Sequence, residues 1–171
     1  MIIKPNKTEY NSFFDGYVQC VGDNDVLRVL ESQCEHFSEV FLPFEGNGHF
    51  AYAADKWTIL QVARHIVDVE RIFGFRLLSI VRGEQQCLFG FNENEYNLKA
   101  MDDDIKVLIQ EFEYLRMANL LLIKGLNSSE LISKGNVNGT STSARAQVYI
   151  IAGHVLHHLN IIQERYKRQS N

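Results

Sequence analysis

Two histidines, His154 and His158, stand four positions apart near the end of the chain. They lie in a segment, residues 144–166, whose apolar residues recur with the period of a helix. Residues four apart on a helix share a face, with Cβ atoms about 5–6 Å apart. Both imidazoles can therefore reach one metal ion, as paired histidines do in zinc sites. Two nitrogens do not complete a ligand set, so the pair predicts a third ligand elsewhere in the chain.

His65 is the candidate for the third ligand. At about 100° per residue, it falls beside the apolar positions of its own helix, as His154 and His158 do on theirs. His157 falls on the flank of the last helix instead. Three inward histidines on two helices indicate a metal site with open positions for water or substrate. The alternative is that each is a buried neutral histidine held by a polar neighbour.

Two charged residues follow His65 on the same predicted helix. Asp68, one turn later, would either accept the imidazole N–H that a metal leaves free or form a surface ion pair. Arg76, three turns later, would either bind an anionic substrate or form a salt bridge at the helix edge. No catalytic residue is predicted, because the chain contains none of the zincin, di-iron, serine-hydrolase or P-loop motifs.

Four long segments with apolar periodicity must position these residues. Capping and stop signals predict helices over residues 25–42, 58–82 and 144–166, the second with a capping box of Thr58 and Gln61 and a stop at Gly83. Residues 102–104 open another helix, which either Gly125 or residues 127–129 end. Either Ser141 or Ser143 is expected to cap the last helix. Residues 1–22 predict a short helix packed as a lid, residues 84–101 an irregular connection, and residues 136–139 a turn. This arrangement favours an all-α protein built as a four-helix bundle.

Length and composition narrow the class of protein. The 171 residues predict one domain, residues 1–171. A net charge of −4 without a dense basic stripe argues against a nucleic-acid partner. The absence of a long apolar run and of a signal pattern argues against a membrane partner and against export. Three widely spaced cysteines favour a reducing compartment. We therefore expect a cytoplasmic protein that acts on a small-molecule substrate.

Several of these segments resemble the DinB-like (YfiT-like) superfamily. Lys56-Trp57-Thr58-Ile59 and residues 65–73 are similar to its second-helix motif, and residues 145–166 are similar to its last-helix motif. Gly90-Phe91-Asn92-Glu93-Asn94 and Asn138-Gly139 fit its loops. The resemblance covers nearly the whole chain. Residues 85–89 depart from the pattern, because relatives tend to have a proline-rich approach to the Gly-Phe element.

The resemblance implies an up-up-down-down four-helix bundle with short extra helices, often a homodimer. It also implies a divalent metal held by His65, His154 and His158. Zinc and nickel are the first candidates, and iron and manganese also accept imidazole. Characterised relatives include thiol transferases that use bacillithiol, mycothiol or glutathione, and a thiol-dependent isomerase. The expected function is therefore a thiol-dependent S-transferase with a low-molecular-weight thiol as co-substrate. The alternatives are a metal-dependent hydrolase and a non-catalytic bundle that binds a metal or small ligand.

Overall fold

The computed structural model describes residues 1–99 and 104–166, which are mainly helical. The long helices are α2 (Val26–Phe41), α3 (Ile59–Val81), α5 (Ile105–Lys124) and α7 (Ala144–Arg165). Shorter elements are helices α1 (Asp15–Val21), α4 (Glu93–Lys99) and α6 (Ser128–Leu131), and strands β1 (Lys134–Val137) and β2 (Thr140–Ser143). Within the described ranges, no helix combines the length and the apolarity that crossing a membrane requires.

The long helices begin and end close to the predicted signals. Thr58 and Gln61 form the predicted capping box at the start of α3. Gly83, just after α3, has a φ of +77°, the left-handed conformation that glycine adopts without strain. Ser143, and not Ser141, caps α7 by accepting a hydrogen bond from the N–H of Ala146. At α5 the cap is Asp104, while the other predicted capping residues, 102 and 103, lie outside the described residues.

Among the short elements, α4 and the hairpin formed by β1 and β2 were not expected from the sequence. The connection predicted to be irregular contains α4, although its residues 100 and 101 lie outside the described part. The predicted turn joins β1 to β2, which pair antiparallel with Val137 opposite Thr140. Asn138 and Gly139 form this turn with φ of +49° and +81°, as in tight hairpins. Both elements are too short and polar to produce a clear periodicity.

Two hydrophobic clusters define the directions of the long helices. One cluster joins the beginnings of α2 and α7 to the ends of α3 and α5, with Leu30, Ile150, Leu77 and Ile123 as members. The other joins the opposite ends, with Phe37, Leu159, Val62 and Leu108 as members. Helices α2 and α7 therefore run one way and α3 and α5 the other. Around the bundle the order is up-up-down-down, and along the chain it is up, down, down, up.

A buried polar network lies between the two clusters. The fully buried Arg116 of α5 donates to both carboxylate oxygens of Glu70 on α3, at 2.9 and 2.7 Å, and to the side-chain oxygen of Gln33 on α2. Gln33 in turn donates to the carbonyl of Ala152 on α7, at 2.7 Å. Asn119 also donates to Glu70, at 2.7 Å. Because buried charges require partners, this network fixes the relative positions of all four long helices.

Candidate metal centre

Helix α7 carries two of the three predicted ligands. Its cap at Ser143 fixes where the helix begins, and therefore which residues face the bundle. His154 is buried, with 3% of its surface exposed, and His158 is half-buried one turn later. Their ring centroids are 4.5 Å apart. The i, i+4 spacing has thus placed both imidazoles on one face of the helix, as predicted.

Helix α3 brings His65 against this pair. The Nε2 atoms of His65 and His154 are 3.0 Å apart, and the rings of His65 and His158 have centroids 4.8 Å apart. One nitrogen from each of the three residues lies within 4.8 Å of the others. The side chains predicted from separate helices therefore converge on a single point between α3 and α7.

The three imidazoles are in the form that binds metals. Burial lowers the pKa of His65 to about 4, and lowers the pKa of His154 and of His158 well below 6.5. The neighbouring imidazoles of the cluster lower the pKa of His154 and His158 further. Near neutral pH all three rings are therefore uncharged, with a lone pair available on one nitrogen each.

The hydrogen bonds of the three histidines are also consistent with a bound metal ion. His65 and His154 can share one proton between their Nε2 atoms, but the buried Nε2 of His158 has no hydrogen-bond partner among the residues that the structure describes. Buried polar atoms normally have partners, so this nitrogen points to an additional group. A divalent ion of the kind that accepts imidazole would use all three lone pairs.

The remaining histidines do not join this group of ligands, although the ring of His157 lies 5.1 Å from that of His158. The ring of His157 packs against Tyr17 at a centroid distance of 5.2 Å, on the flank where the helical wheel placed it. His36 contacts Gln163 at the surface, and His49 is exposed. Among the described residues, the group able to hold a metal consists of His65, His154 and His158.

Asp68 lies beside Arg64 on the outer part of α3. Its Oδ1 is 3.7 Å from Nη1 of Arg64, which also contacts Glu111 of α5 at 3.1 Å. The contact with Arg64 therefore supports the interpretation in which Asp68 forms an ion pair. The other interpretation, in which Asp68 orients His65, stays a prediction.

A cavity of about 440 Å³ opens beside the three histidines. Its walls are largely aromatic and come from the N-terminal segment, α3, the loop before α4, the hairpin and α7. The lining residues include Phe14, Tyr17, Trp57, Phe73, Phe91 and the three histidines. Phe73 and Phe91, from α3 and the loop before α4, thus each contribute a ring to the cavity wall. A small organic molecule fits a space of this size.

The predicted lid is present and packs against the histidines. Two 3-10 turns, Lys7–Glu9 and Ser12–Phe14, lead into α1, which packs on α7. The ring of Tyr17 meets the ring of His154 edge to face at 5.3 Å. A role of Tyr17 at the site was not predicted, because the aromatic residues of this segment have no regular period.

Within the described part of the chain, Arg76 does not form the helix-edge salt bridge that was one of its two predicted roles. Its side chain is buried and lines the cavity. It donates to the carbonyl oxygen of Phe89 at 2.8 Å and lies over the ring of Phe73 at 5.4 Å. No salt bridge to Arg76 occurs among the residues that the structure describes.

The chain belongs to the DinB superfamily, whose family model matches residues 42–162. This match includes the three histidines, the whole of α3 and α5, and most of α7. The expected family and the four-helix bundle are thereby confirmed. No curated protein matches the chain with significance.

Among solved structures, the fold is similar to that of YfiT from Bacillus subtilis. The TM-score is 0.73 and the sequence identity 16%, over 95% of this chain and 90% of YfiT. YfiT is described as a probable metal-dependent hydrolase with an unusual four-helix bundle topology. At this identity the similarity establishes the shared fold.

Proposed function

We propose that this chain is a metal-dependent enzyme that transfers a small thiol to an electrophilic substrate. The observation that carries the proposal is the convergence of three neutral imidazoles, one buried and two half-buried, on the wall of an aromatic cavity. His65, His154 and His158 would hold one divalent ion. A bound divalent ion lowers the pKa of a thiol and keeps it as the more nucleophilic thiolate near neutral pH.

The donor set favours an anionic partner. Three neutral imidazoles leave the charge of a divalent ion uncompensated, and the acidic residue that lines the cavity, Glu93, is exposed on α4. The aromatic walls formed by Phe14, Trp57 and Phe73 offer contacts to sulfur and to an apolar electrophile, and they exclude water. In the overall reaction a carbon–sulfur bond forms, the bond from carbon to the leaving group breaks, and the thiol proton goes to the leaving group.

Hydrolysis is the second candidate, because YfiT, which shares the fold, is described as a probable metal-dependent hydrolase. The same donor set would favour hydroxide as well as thiolate. The two candidates differ in their requirement for a thiol, so one assay separates them.

The first stage of the test is the metal. Protein loaded with zinc or nickel should contain one ion per chain by mass spectrometry, and the variants His65→Ala, His154→Ala and His158→Ala should each lose most of it. His157→Ala is the matched control, since it removes an adjacent imidazole of the same helix from outside the cluster. Undiminished metal in any of the three variants would remove that residue from the site.

The second stage is turnover. Aryl and alkyl electrophiles are offered with several small thiols to the metal-loaded protein, to His157→Ala and to His154→Ala. We expect thiol-dependent turnover in the first two proteins and its loss in the third. Product formation without a thiol would establish hydrolysis instead. Binding of small ligands without any turnover would establish the non-catalytic alternative.

A further inference from the structure

The cavity that adjoins the three histidines also contains a buried cation at a distance from them. Arg76 follows His65 by eleven residues on α3, or about three helical turns, so both side chains lie on the same face. Only 5% of the surface of Arg76 is exposed, and both residues line the cavity. The cavity wall therefore extends along α3 from the imidazoles to the guanidinium.

The charge of Arg76 lacks a carboxylate partner within the described part of the chain. Among the described residues its polar contact is a single carbonyl, that of Phe89, which takes one of the five N–H donors of the guanidinium. Burial lowers the pKa of Arg76, and no neighbouring carboxylate opposes that shift. A guanidinium nevertheless keeps its proton in proteins, so the positive charge persists in the cavity wall.

Other arginines that are shielded from solvent have the carboxylate partner that Arg76 lacks among the described residues. Arg116 pairs with Glu70, Arg145 with Glu9, and Arg64 with Glu111. Glu93 also lines the cavity but forms no salt bridge with Arg76 in the described part of the chain; together with burial, which is the larger cause, its charge raises the pKa of the Tyr17 hydroxyl. Burying a charge without an ionic partner is costly, so an arginine retained in this state points to a partner that arrives from outside.

The loop before α4 holds Arg76 in place for such a partner. Leu88 pairs with the hairpin through two backbone hydrogen bonds, from its N–H to Asn136 and from Asn138 to its carbonyl, at 2.8 and 2.9 Å. This pairing fixes the neighbouring carbonyl of Phe89, and the Phe73 ring supports the guanidinium from the helix side. The arginine is thus oriented in advance, which limits the entropy lost when a ligand binds.

We propose that Arg76 is the anion-binding end of the cavity and accepts the carboxylate of a small molecule whose reacting group lies at the histidines. A planar carboxylate matches the fork of a guanidinium, and one unit of negative charge balances one arginine. The position of the reacting group rests on the proposed thiol chemistry. The carboxylate preference does not, and it can be measured separately.

The first experiment uses metal-loaded protein and compares mercaptohexanoate with mercaptohexanamide by calorimetry. Both probes carry the same thiol, so the difference reports on the carboxylate. We expect the acid to bind about tenfold or more tightly than the amide, the range of a charged hydrogen-bonded pair. The preference should disappear in Arg76→Gln and persist in Arg28→Gln, which neutralises an exposed arginine of α2.

The second experiment removes the dependence on thiol chemistry. Phenylbutyrate and phenylbutyramide are titrated into chelator-treated protein, where a carboxylate preference cannot come from a metal. The same preference and the same loss in Arg76→Gln are expected. If the preference appears here while the thiol probes fail to bind, Arg76 is confirmed as the anion site and the thiol proposal is contradicted.

Arg76→Met provides a second variant that keeps an apolar stem over Phe73, in case the glutamine variant does not fold. Thermal melts establish that each variant used is folded. Equal affinity for acid and amide in the wild type would overturn the inference. An unchanged preference in a folded Arg76 variant would overturn it too, because the anion would then bind elsewhere.

Discussion

The three imidazoles differ in the neighbours that surround them. His154 lies between the rings of Tyr17 and Phe73, with centroid distances of 5.3 and 5.6 Å. His65 faces Trp57 at 4.9 Å. These aromatic side chains keep water from the sides of the cluster and restrict rotation of the rings. A preorganised donor set of this kind binds a metal without first losing side-chain freedom.

The single substitution Asp68→Asn tests whether Asp68 orients His65. If it does, metal affinity should fall about 10–100-fold, the usual effect of losing a partner of a ligating histidine. Competition with a chelator measures this affinity. Arg64→Gln is the control, because it removes the ion pair of Asp68 and keeps the carboxylate. Unchanged affinity in both variants would assign Asp68 to the ion pair alone.

Among the elements, the close packing of α1 on α7 depends on one glycine. A Cβ atom at Gly153 would lie 1.9 Å from the carbonyl oxygen of Tyr17, a distance that backbone atoms cannot accommodate. The absence of a side chain therefore lets α1 approach α7 and brings Tyr17 against His154. Glycine costs a helix interior about 1 kcal/mol relative to alanine, so this contact offsets a local penalty.

Gly153→Ala should consequently destabilise the protein, although alanine favours helix. Displacing α1 is expected to reduce the free energy of unfolding by about 1–3 kcal/mol, the usual effect of overpacking. Urea denaturation measures the change. Gly16→Ala is the control within α1, since a Cβ there meets nothing within 4 Å and should be neutral or slightly stabilising. Equal stability of the two variants would show that α1 can move aside freely.

In the whole molecule, the N-terminal segment is tied to the beginning of α7 by Glu9. This buried carboxylate accepts hydrogen bonds from the Ser143 hydroxyl and from Nε of Arg145, both at 2.7 Å. The bonds to Arg145, followed by those to Asn6 and Ser143, hold the pKa of Glu9 at about 2 despite its burial. Residues more than 130 positions apart are thus joined at one end of the bundle.

This ion pair should make stability depend on pH. The pKa of Glu9 lies below its ordinary value of 4.5, so the carboxylate stabilises the folded protein above that pH. The contribution is lost as the pH falls from about 4.5 to about 2, and a shift of this size corresponds to roughly 3 kcal/mol. Glu9→Gln should therefore be less stable than the wild type at pH near 7, with the difference shrinking below pH about 4.

Urea denaturation at several pH values measures this difference. Glu39→Gln, which neutralises an exposed carboxylate of α2, controls for the loss of one negative charge. A constant difference between Glu9→Gln and the wild type at every pH would contradict the assignment.

Local signals in the sequence determined the long helices and the positions of the three histidines on them. Capping at Thr58, a left-handed glycine at Gly83 and the four-residue spacing of His154 and His158 all act within a few residues, so the chain order reveals them. The inward direction of His65 followed in the same way from its neighbours on α3. These features depend on backbone geometry that does not change when the helix packs.

Contacts between distant segments could be decided only by the tertiary structure. The 3.0 Å approach of His65 to His154, the buried partners of Arg116 and the position of Tyr17 each join residues from different elements. The spacing from His65 places Arg76 on the same face of α3. Its lack of a carboxylate partner among the described residues depends on the neighbours that the loop before α4 and the hairpin supply. Periodicity specifies which side of a helix is buried, whereas packing selects the neighbour that it meets.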